Sequence, residues 1–170
     1  MRLQGKSYQE IAEAGGGILN SAKKLHDMSE QQLYDNAHIR LEQVIKSGTG
    51  AIEIKSGYGL NIEDEMKMLR VIRVLKQLSP IPIKSTFLGA HAIPEEFKNN
   101  KAAYMYLVCN EMLPRIAGEN LADFIDIFCE TGYFDLDDLK QIIEAGDKFE
   151  IKAKVHVNQF SSFGAVKLAC

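Results

Sequence analysis

The side chains best suited to chemistry stand where predicted β-strands end. His156 lies near the end of the segment IKAKVHVNQF, and Gln159 follows it three residues later. Polar and apolar residues alternate between Lys152 and Val157, which is typical of a strand. His91 ends a second segment of this kind, IKSTFLGAH. Parallel α/β proteins place their ligands at the carboxyl ends of strands, so both histidines are candidate site residues. The alternative for each is a structural histidine whose ring is satisfied by its neighbours.

A tyrosine between two glycines follows another predicted strand. The run TGAIEIKS has the pattern of a buried strand and continues into SGYGL. Gly57 and Gly59 allow the backbone to turn close to a ligand, and the phenol of Tyr58 offers a hydrogen-bond donor and an apolar ring face. The alternative is a core tyrosine. Ser56 and Glu130 also lie at strand ends, and we assign them no chemistry.

Positioning these residues requires strands separated by helices. The predicted strands span residues 50–55, 82–90, 123–129 and 152–158. Three amphipathic helices are predicted between them: one that Asn61 caps and that continues through Leu78, one from about Lys101 to Ile116, and one from Leu136 to Phe149 with Asp135 as its candidate cap. Strands connected in this way pair in parallel, which predicts an α/β layer architecture. Periodicity does not separate a (β/α) barrel from an open doubly wound sheet. An eight-unit barrel takes roughly 250 residues, so four units in this length would form about half of one.

The first part of the chain has helical patterns and no predicted strand. Tyr8–Ala14 predicts a short helix that runs into a glycine triplet at 15–17, and Ile18–His26 predicts a second helix. The triplet lacks the Lys-Ser/Thr of a phosphate-binding loop, so we interpret it as a turn. Ser29 is a candidate N-cap for a third helix. His26 and His38 are interpreted as surface residues.

The composition excludes several classes of function. The 170 residues carry 20 Lys and Arg against 23 Asp and Glu, a net charge of −3, and the mixed signs predict neither nucleic-acid nor membrane binding. There is no run of the roughly 18 apolar residues that a membrane span needs. The three cysteines lack CxxC spacing, so we expect free thiols and a cytoplasmic location.

Several segments, taken together, resemble the imidazolonepropionase family of the amidohydrolase superfamily. The motifs follow the order of that family: SYQEIAEAGGGIL, EIKSGYGL, EMKMLRVIR, TFLGAHAIP, NEMLP with LADFIDIFCE, and KVHVNQF with Gly164 and the closing LA. Any one of them would be a weak signal, but the set is specific. The resemblance covers essentially all 170 residues.

The resemblance implies a metal-dependent hydrolase on a TIM-like (β/α)8 barrel with one zinc or iron ion. The implied reaction opens the ring of 4-imidazolone-5-propanoate to give N-formimino-L-glutamate, a step of histidine degradation. In the family the metal is held by an HxH pair on the first strand, a histidine on the fifth and an aspartate on the eighth. Here only His156 matches a ligand position. We therefore expect residues 1–170 to be a partial barrel domain, about half of the barrel and inactive by itself.

The resemblance also implies a role for each candidate residue. His156 would be a metal ligand, and His91 would form a hydrogen bond with the ring carbonyl of the substrate. Tyr58 would contact the carboxylate end of the substrate, and Gln159 would complete the catalytic and substrate-binding set through its amide. Many family members carry Glu at the position of Gln159, so the resemblance does not make it a proton-transfer base. Unpaired strand edges in a partial barrel predict a homo-oligomer.

Two other functions stay open on the sequence alone. Another amidohydrolase that acts on a cyclic amide, or a deaminase, would use the same histidine with a different pocket, and the SGYGL loop argues against it. A non-catalytic flavodoxin-like α/β binding domain would need a phosphate-binding loop, and none of the strand-end loops has a GxGxxG or Walker sequence.

Overall fold

The computed structural model of the chain describes residues 17–162 and 164–169. The helix predicted at 8–14 and the first two glycines of the triplet lie outside the described residues. The helices are α1 (Ile18–His26), α2 (Glu30–Lys46), α3 (Ile62–Leu78), α4 (Lys101–Leu107), α5 (Leu113–Gly118), α6 (Leu136–Asp147) and α7 (Ala165–Ala169). The strands are β1 (Ile52–Lys55), β2 (Ile83–Ala90), β3 (Phe124–Phe128) and β4 (Lys152–His156).

Side-chain caps begin four of the described helices: Asn100 caps α4, and the other three caps are those that the sequence predicts. Ser29 accepts a hydrogen bond from the backbone of Gln32, whose side chain accepts one in return from the Ser29 backbone. Asn61 caps α3, and Asp135 forms a second reciprocal cap at the start of α6. These caps satisfy N–H groups that have no partner within the helix. They fix where each helix begins after its strand and loop.

The helix predicted from about Lys101 to Ile116 is not continuous. A π-helical segment, Val108–Met112, separates α4 from α5. Pro114 lies in the first turn of α5 and has no N–H, so the regular i to i−4 bonding cannot pass through it. Similarly, α6 ends at Asp147 rather than at Phe149, just before Glu150 adopts a positive φ of 58°.

The strands form one parallel sheet in the order β1-β2-β3-β4. Lys55 pairs with Thr86, and Phe128 pairs with His156. The prediction of four parallel strands is confirmed. Sequential order is the order of strands in a (β/α) barrel, whereas a doubly wound sheet reverses its order at a switch point. The order therefore favours the barrel among the two architectures that the sequence left open.

The two faces of the sheet differ in chemistry. Ile125 and Ile127 on β3 are fully buried, and Ile125 contacts α6 at Gly146. Because side chains alternate along a strand, Asp126 points to the opposite face. There it meets side chains from β1 and β4. Among residues 17–162 and 164–169, no helix is long and apolar enough to cross a bilayer.

Candidate functional site

Three aromatic side chains meet at the carboxyl end of the sheet. His91 directly follows β2 and His156 ends β4. Their ring centroids are 6.3 Å apart, with 22° between the ring planes. The Tyr58 ring lies edge-on to His91 at 5.1 Å. Three residues selected from the sequence thus form one cluster, because the carboxyl ends of parallel strands share one edge of the sheet.

Phe128 forms the apolar part of this cluster. Its centroid is 6.1 Å from that of His91 and 6.0 Å from that of His156, both edge-on. The side chain is almost fully buried. Phe128 was not selected from the sequence. The strand register is the signal that indicates its place in the cluster. Phe128 pairs with His156 across β3 and β4, and residues that pair across strands lie on the same face.

A buried carboxylate forms a hydrogen bond with the ring of His156. Its Nδ1 lies 2.8 Å from Asp126 Oδ2, and Lys55 Nζ lies 2.6 Å from the same oxygen. Burial alone would raise the pKa of Asp126, but the hydrogen bonds from His156 and Lys55 outweigh it and lower the pKa. Asp126 is therefore an ionised acceptor beneath the histidine. The sequence patterns indicate no role for either Asp126 or Lys55.

Charged side chains continue along this face, away from the rim. Glu53 accepts hydrogen bonds from Thr86 and from Lys154, whose Nζ lies 2.8 Å away. Lys55 Nζ is 3.5 Å from Glu53, which links this group to Asp126. Burial alone would raise the pKa of Glu53, but the hydrogen bonds from Lys154 and Thr86 lower it. Ion pairs between side chains of opposite charge thus form a continuous series from the middle of the sheet to His156.

His91 is held by the backbone of the loop that follows β1. Its Nδ1 lies 2.9 Å from the carbonyl oxygen of Gly57, and a carbonyl can only accept, so Nδ1 carries the hydrogen. Burial lowers the pKa of His91, and the nearby His156 lowers it further. In the neutral ring Nε2 then carries a lone pair. Neutral His91 can accept a hydrogen bond at Nε2, and it can donate one there only after protonation.

A single buried carboxylate shapes the loop that carries Tyr58. Glu65, in the first turn of α3, accepts hydrogen bonds from the N–H groups of Gly57, Gly59 and Leu60 at 2.7–3.1 Å. A Cβ on Gly59 would lie 2.4 Å from the backbone nitrogen of Glu65, so a side chain has no room there. Complete burial of Glu65 raises its pKa despite these bonds. The loop needs both the glutamate and the glycine.

The structure does not bring the Gln159 side chain into the cluster. Gln159 is exposed, and its backbone N–H donates to Glu130 Oε1 at 2.5 Å. Glu130 also accepts from the backbone of Phe160 and from Ser161. Glu130, to which no chemistry was assigned, therefore holds the backbone of the loop after β4.

The described residues do not form a metal site by themselves. In the part of the chain that the structure describes, no group of three or more His, Cys, Asp and Glu side chains could hold a metal ion. His156 fits one ligand position, because Asp126 occupies Nδ1 and leaves Nε2 for an ion. His26 and His38 lie away from the cluster: His26 pairs with Asp64 at 2.7 Å, and His38 lies 3.6 Å from Glu42 on the surface of α2.

Comparisons with known proteins agree with the motifs. No protein-family model matches the chain. The imidazolonepropionase of Flavobacterium psychrophilum is 57% identical over 98% of this chain. Those of Christiangramia forsetii and Colwellia psychrerythraea are 56% and 48% identical over 98% and 99% of it. The matches cover 40%, 41% and 40% of these relatives, so the chain spans about 40% of their length.

Proposed function

We propose that this chain, which belongs to the imidazolonepropionase family, contributes part of the active site of an enzyme that hydrolyses 4-imidazolone-5-propanoate to N-formimino-L-glutamate. The observation that carries the proposal is the convergence of Tyr58, His91 and His156 at one rim, with ring centroids 5.1 and 6.3 Å apart. The three residues lie at the carboxyl ends of three different strands, His156 as the last residue of β4 and the other two in the segments that follow β1 and β2, as expected for a barrel active site. The 57% identity to a relative with this name supports the substrate.

The proposed cofactor is one zinc or iron ion, with His156 as one of its ligands. Such an ion supplies a bound water whose pKa falls toward neutrality. His156 suits this role because Asp126 forms a hydrogen bond with its Nδ1, which leaves the lone pair of Nε2 for the ion. Metal sites use three or four protein ligands, and no group of three lies among the described residues, so at least one ligand must come from outside them.

His91 and Tyr58 are proposed to bind the substrate ring and its carboxylate end. Neutral His91 offers a lone pair at Nε2, which suits an N–H of the ring, whereas protonated His91 would donate to the ring carbonyl. The phenol of Tyr58 can donate to a carboxylate while its ring packs against His91. Gln159 completes the set only if its exposed side chain turns toward the rim when substrate binds.

A hybrid enzyme tests the proposal. This chain replaces the matching 166 residues of the Flavobacterium psychrophilum protein, and ring opening and metal content are measured. We expect an active hybrid with one metal ion. His156→Ala should remove the metal and nearly all activity, whereas His91→Ala should keep the metal and lower kcat/KM. A folded, metal-loaded hybrid without ring-opening activity would refute the proposal.

The isolated chain provides the complementary measurement. His156 alone is too few ligands to hold an ion against water, so elemental analysis should find no stoichiometric metal. Ring opening should also be absent, because no activated water forms without the ion. Stoichiometric zinc or iron on the isolated chain would show that its ligands have been misassigned.

We further propose self-association and a cytoplasmic location. Within the described residues, β1 pairs only with β2 and β4 only with β3, so each has a backbone edge able to bind another strand. Light scattering at micromolar concentration should detect more than a monomer. The free thiols of Cys109 and Cys129 suit a reducing compartment.

A further inference from the structure

We propose that Asp126, itself held by Lys55, is a positioning residue that keeps His156 in the tautomer with its hydrogen on Nδ1 and its lone pair on Nε2. The use of that lone pair as a metal ligand rests on the proposed function, but the tautomer can be measured without metal or substrate. Neither Asp126 nor Lys55 needs to touch the substrate for this role.

The hydrogen-bond partners of Asp126 determine which atom of His156 carries the hydrogen. Oδ2 lies 2.8 Å from His156 Nδ1 and 2.6 Å from Lys55 Nζ. Oδ1 accepts from the backbone N–H of Ile127 at 2.7 Å. An ionised carboxylate can only accept, so Nδ1 of His156 must be the donor. A neutral imidazole has one N–H, and Nε2 is therefore left with the lone pair.

Lys55 makes this arrangement stable for a carboxylate that is fully buried. Asp126 has no exposed surface, whereas the side chains of Lys55 and His156 are 30% and 37% exposed. Oδ2 already accepts from the Lys55 ammonium group at 2.6 Å and Oδ1 accepts from the Ile127 N–H at 2.7 Å, so both oxygens of Asp126 act as acceptors.

The ring has little freedom to escape this constraint. Phe128 is nearly buried and lies edge-on to the imidazole at 6.0 Å, and His91 stacks at 6.3 Å. Neither makes a hydrogen bond to the His156 ring among the described residues. Asp126 is thus the one group there that selects a ring nitrogen of His156. Removing it should leave the ring in place while its tautomer becomes free to change.

The test is the tautomer ratio of His156 in the nitrogen-15-labelled chain, read by long-range proton–nitrogen correlation at about pH 8, where an ordinary histidine is neutral. A hydrogen bond to a charged group shifts such a ratio about tenfold or more. In the wild-type chain we expect at least that excess of the Nδ1–H form over the ratio of the urea-unfolded chain. Asp126→Ala should remove the excess.

Asp123→Ala is the matched control. Asp123 precedes the same strand at its opposite end and is held by Lys76, Lys84 and Ser85, so its loss also breaks ion pairs and hydrogen bonds of β3. It does not contact His156. The His156 tautomer should therefore stay as in the wild type, which separates positioning from a general loosening of the sheet.

The near-isosteric Asp126→Asn keeps the test decisive where Asp126→Ala does not fold. An amide oxygen is a weaker acceptor than a carboxylate, and an amide that turns its N–H groups toward His156 would invert the tautomer, so the excess of Nδ1–H should fall or reverse. A folded Asp126→Asn or Asp126→Ala chain with the wild-type ratio would overturn the proposal. A wild-type chain in which Nε2 carries the hydrogen would overturn it as well.

Discussion

Two loops at the rim are built in the same way but deliver their side chains differently. The loop at 56–60 follows β1, and the loop at 157–161 follows β4. Each has its backbone N–H groups gathered by one buried glutamate, Glu65 in the first case and Glu130 in the second. Both glutamates are almost inaccessible to solvent. A carboxylate can serve several N–H donors at once, which makes it an efficient way to fix a short loop.

The difference lies in what surrounds the side chain at the tip. Tyr58 packs against the apolar group of Ile18, Leu60 and Ala92 and touches His91. Gln159 is exposed. Backbone hydrogen bonds therefore determine the path of a loop, whereas packing determines where its side chain points. Packing therefore holds the Tyr58 ring at the rim, whereas the proposed role of Gln159 requires its side chain to turn inward when substrate binds.

The largest expected difference between the two loops is in the free energy of unfolding that is lost when the glutamate of each loop is replaced by alanine. Glu65→Ala leaves three buried N–H groups without an acceptor, and each such group costs about 1–3 kcal/mol, so we expect a loss of about 3 kcal/mol or more in the free energy of unfolding. Glu130→Ala should cost about 1 kcal/mol, because water can replace the acceptor around exposed residues. Urea unfolding of both variants measures the two losses.

Equal losses of stability in Glu65→Ala and Glu130→Ala would contradict the proposed difference between the two loops. The slope of the free energy of unfolding against urea should match that of the wild type in both variants, since a change in slope would indicate a changed unfolded or native state. With matched slopes, a loss in Glu130→Ala as large as that in Glu65→Ala would show that the loop after β4 is as buried in solution as the loop after β1.

A smaller effect should follow from adding one methyl group to the first loop. Gly59→Ala places a Cβ 2.4 Å from the backbone nitrogen of Glu65, and overpacking of this kind costs about 1–3 kcal/mol. Gly50→Ala is the matched control because a Cβ there meets nothing within 4 Å. Thermal unfolding should show a lower Tm for Gly59→Ala and little change for Gly50→Ala. A wild-type Tm in both would mean that the loop can move away from α3.

Local sequence patterns predicted the sheet and the meeting of strand-end residues at one rim. Alternation along β4 and the caps at Ser29, Asn61 and Asp135 are local signals, and each element that they predict is present. The meeting of His91 with His156 follows from parallel pairing alone, because strand ends share a rim.

The supporting residues could not be predicted in the same way. Asp126 is 30 residues from His156 in the chain, and Lys55 is 71 residues from Asp126. Their pairing depends on the register of neighbouring strands, which no single segment encodes. Similarly, Glu65 looks like an ordinary acidic residue in the first turn of a helix, and only the path of the preceding loop shows that it is fully buried.

Acid should loosen the second loop before the first. Burial alone would raise the pKa of Glu130, but the bonds from Phe160 and Ser161 lower it below the ordinary 4.5. The stability from Glu130 is thus present above pH 4.5 and is lost as the pH falls through the lower folded-state pKa. For Glu65 the folded-state pKa is raised by burial, so acidification does not remove stability through this group.

Protection of backbone amides from exchange measures this difference. As the pH falls below 4.5 and through the lower folded-state pKa of Glu130, protection of the Phe160 amide should decrease while that of Leu60 persists. Glu130→Gln keeps an acceptor oxygen without a titrating carboxyl, so its Phe160 amide should show no such pH dependence. Simultaneous loss of protection in both loops would instead indicate global acid unfolding.

The smallest expected effect on stability concerns the tip of the second loop. The Gln159 side chain is exposed, and the hydrogen bond to Glu130 comes from its backbone, which Gln159→Ala retains. The free energy of unfolding should therefore change by about 0.5 kcal/mol or less. Tyr58→Ala should cost about 1 kcal/mol or more, because it removes a half-buried ring from its contact with His91.

In the hybrid enzyme, Gln159→Ala should still lower kcat/KM if substrate turns the amide inward. Unchanged stability together with unchanged kcat/KM would remove Gln159 from the site and leave Tyr58, His91 and His156.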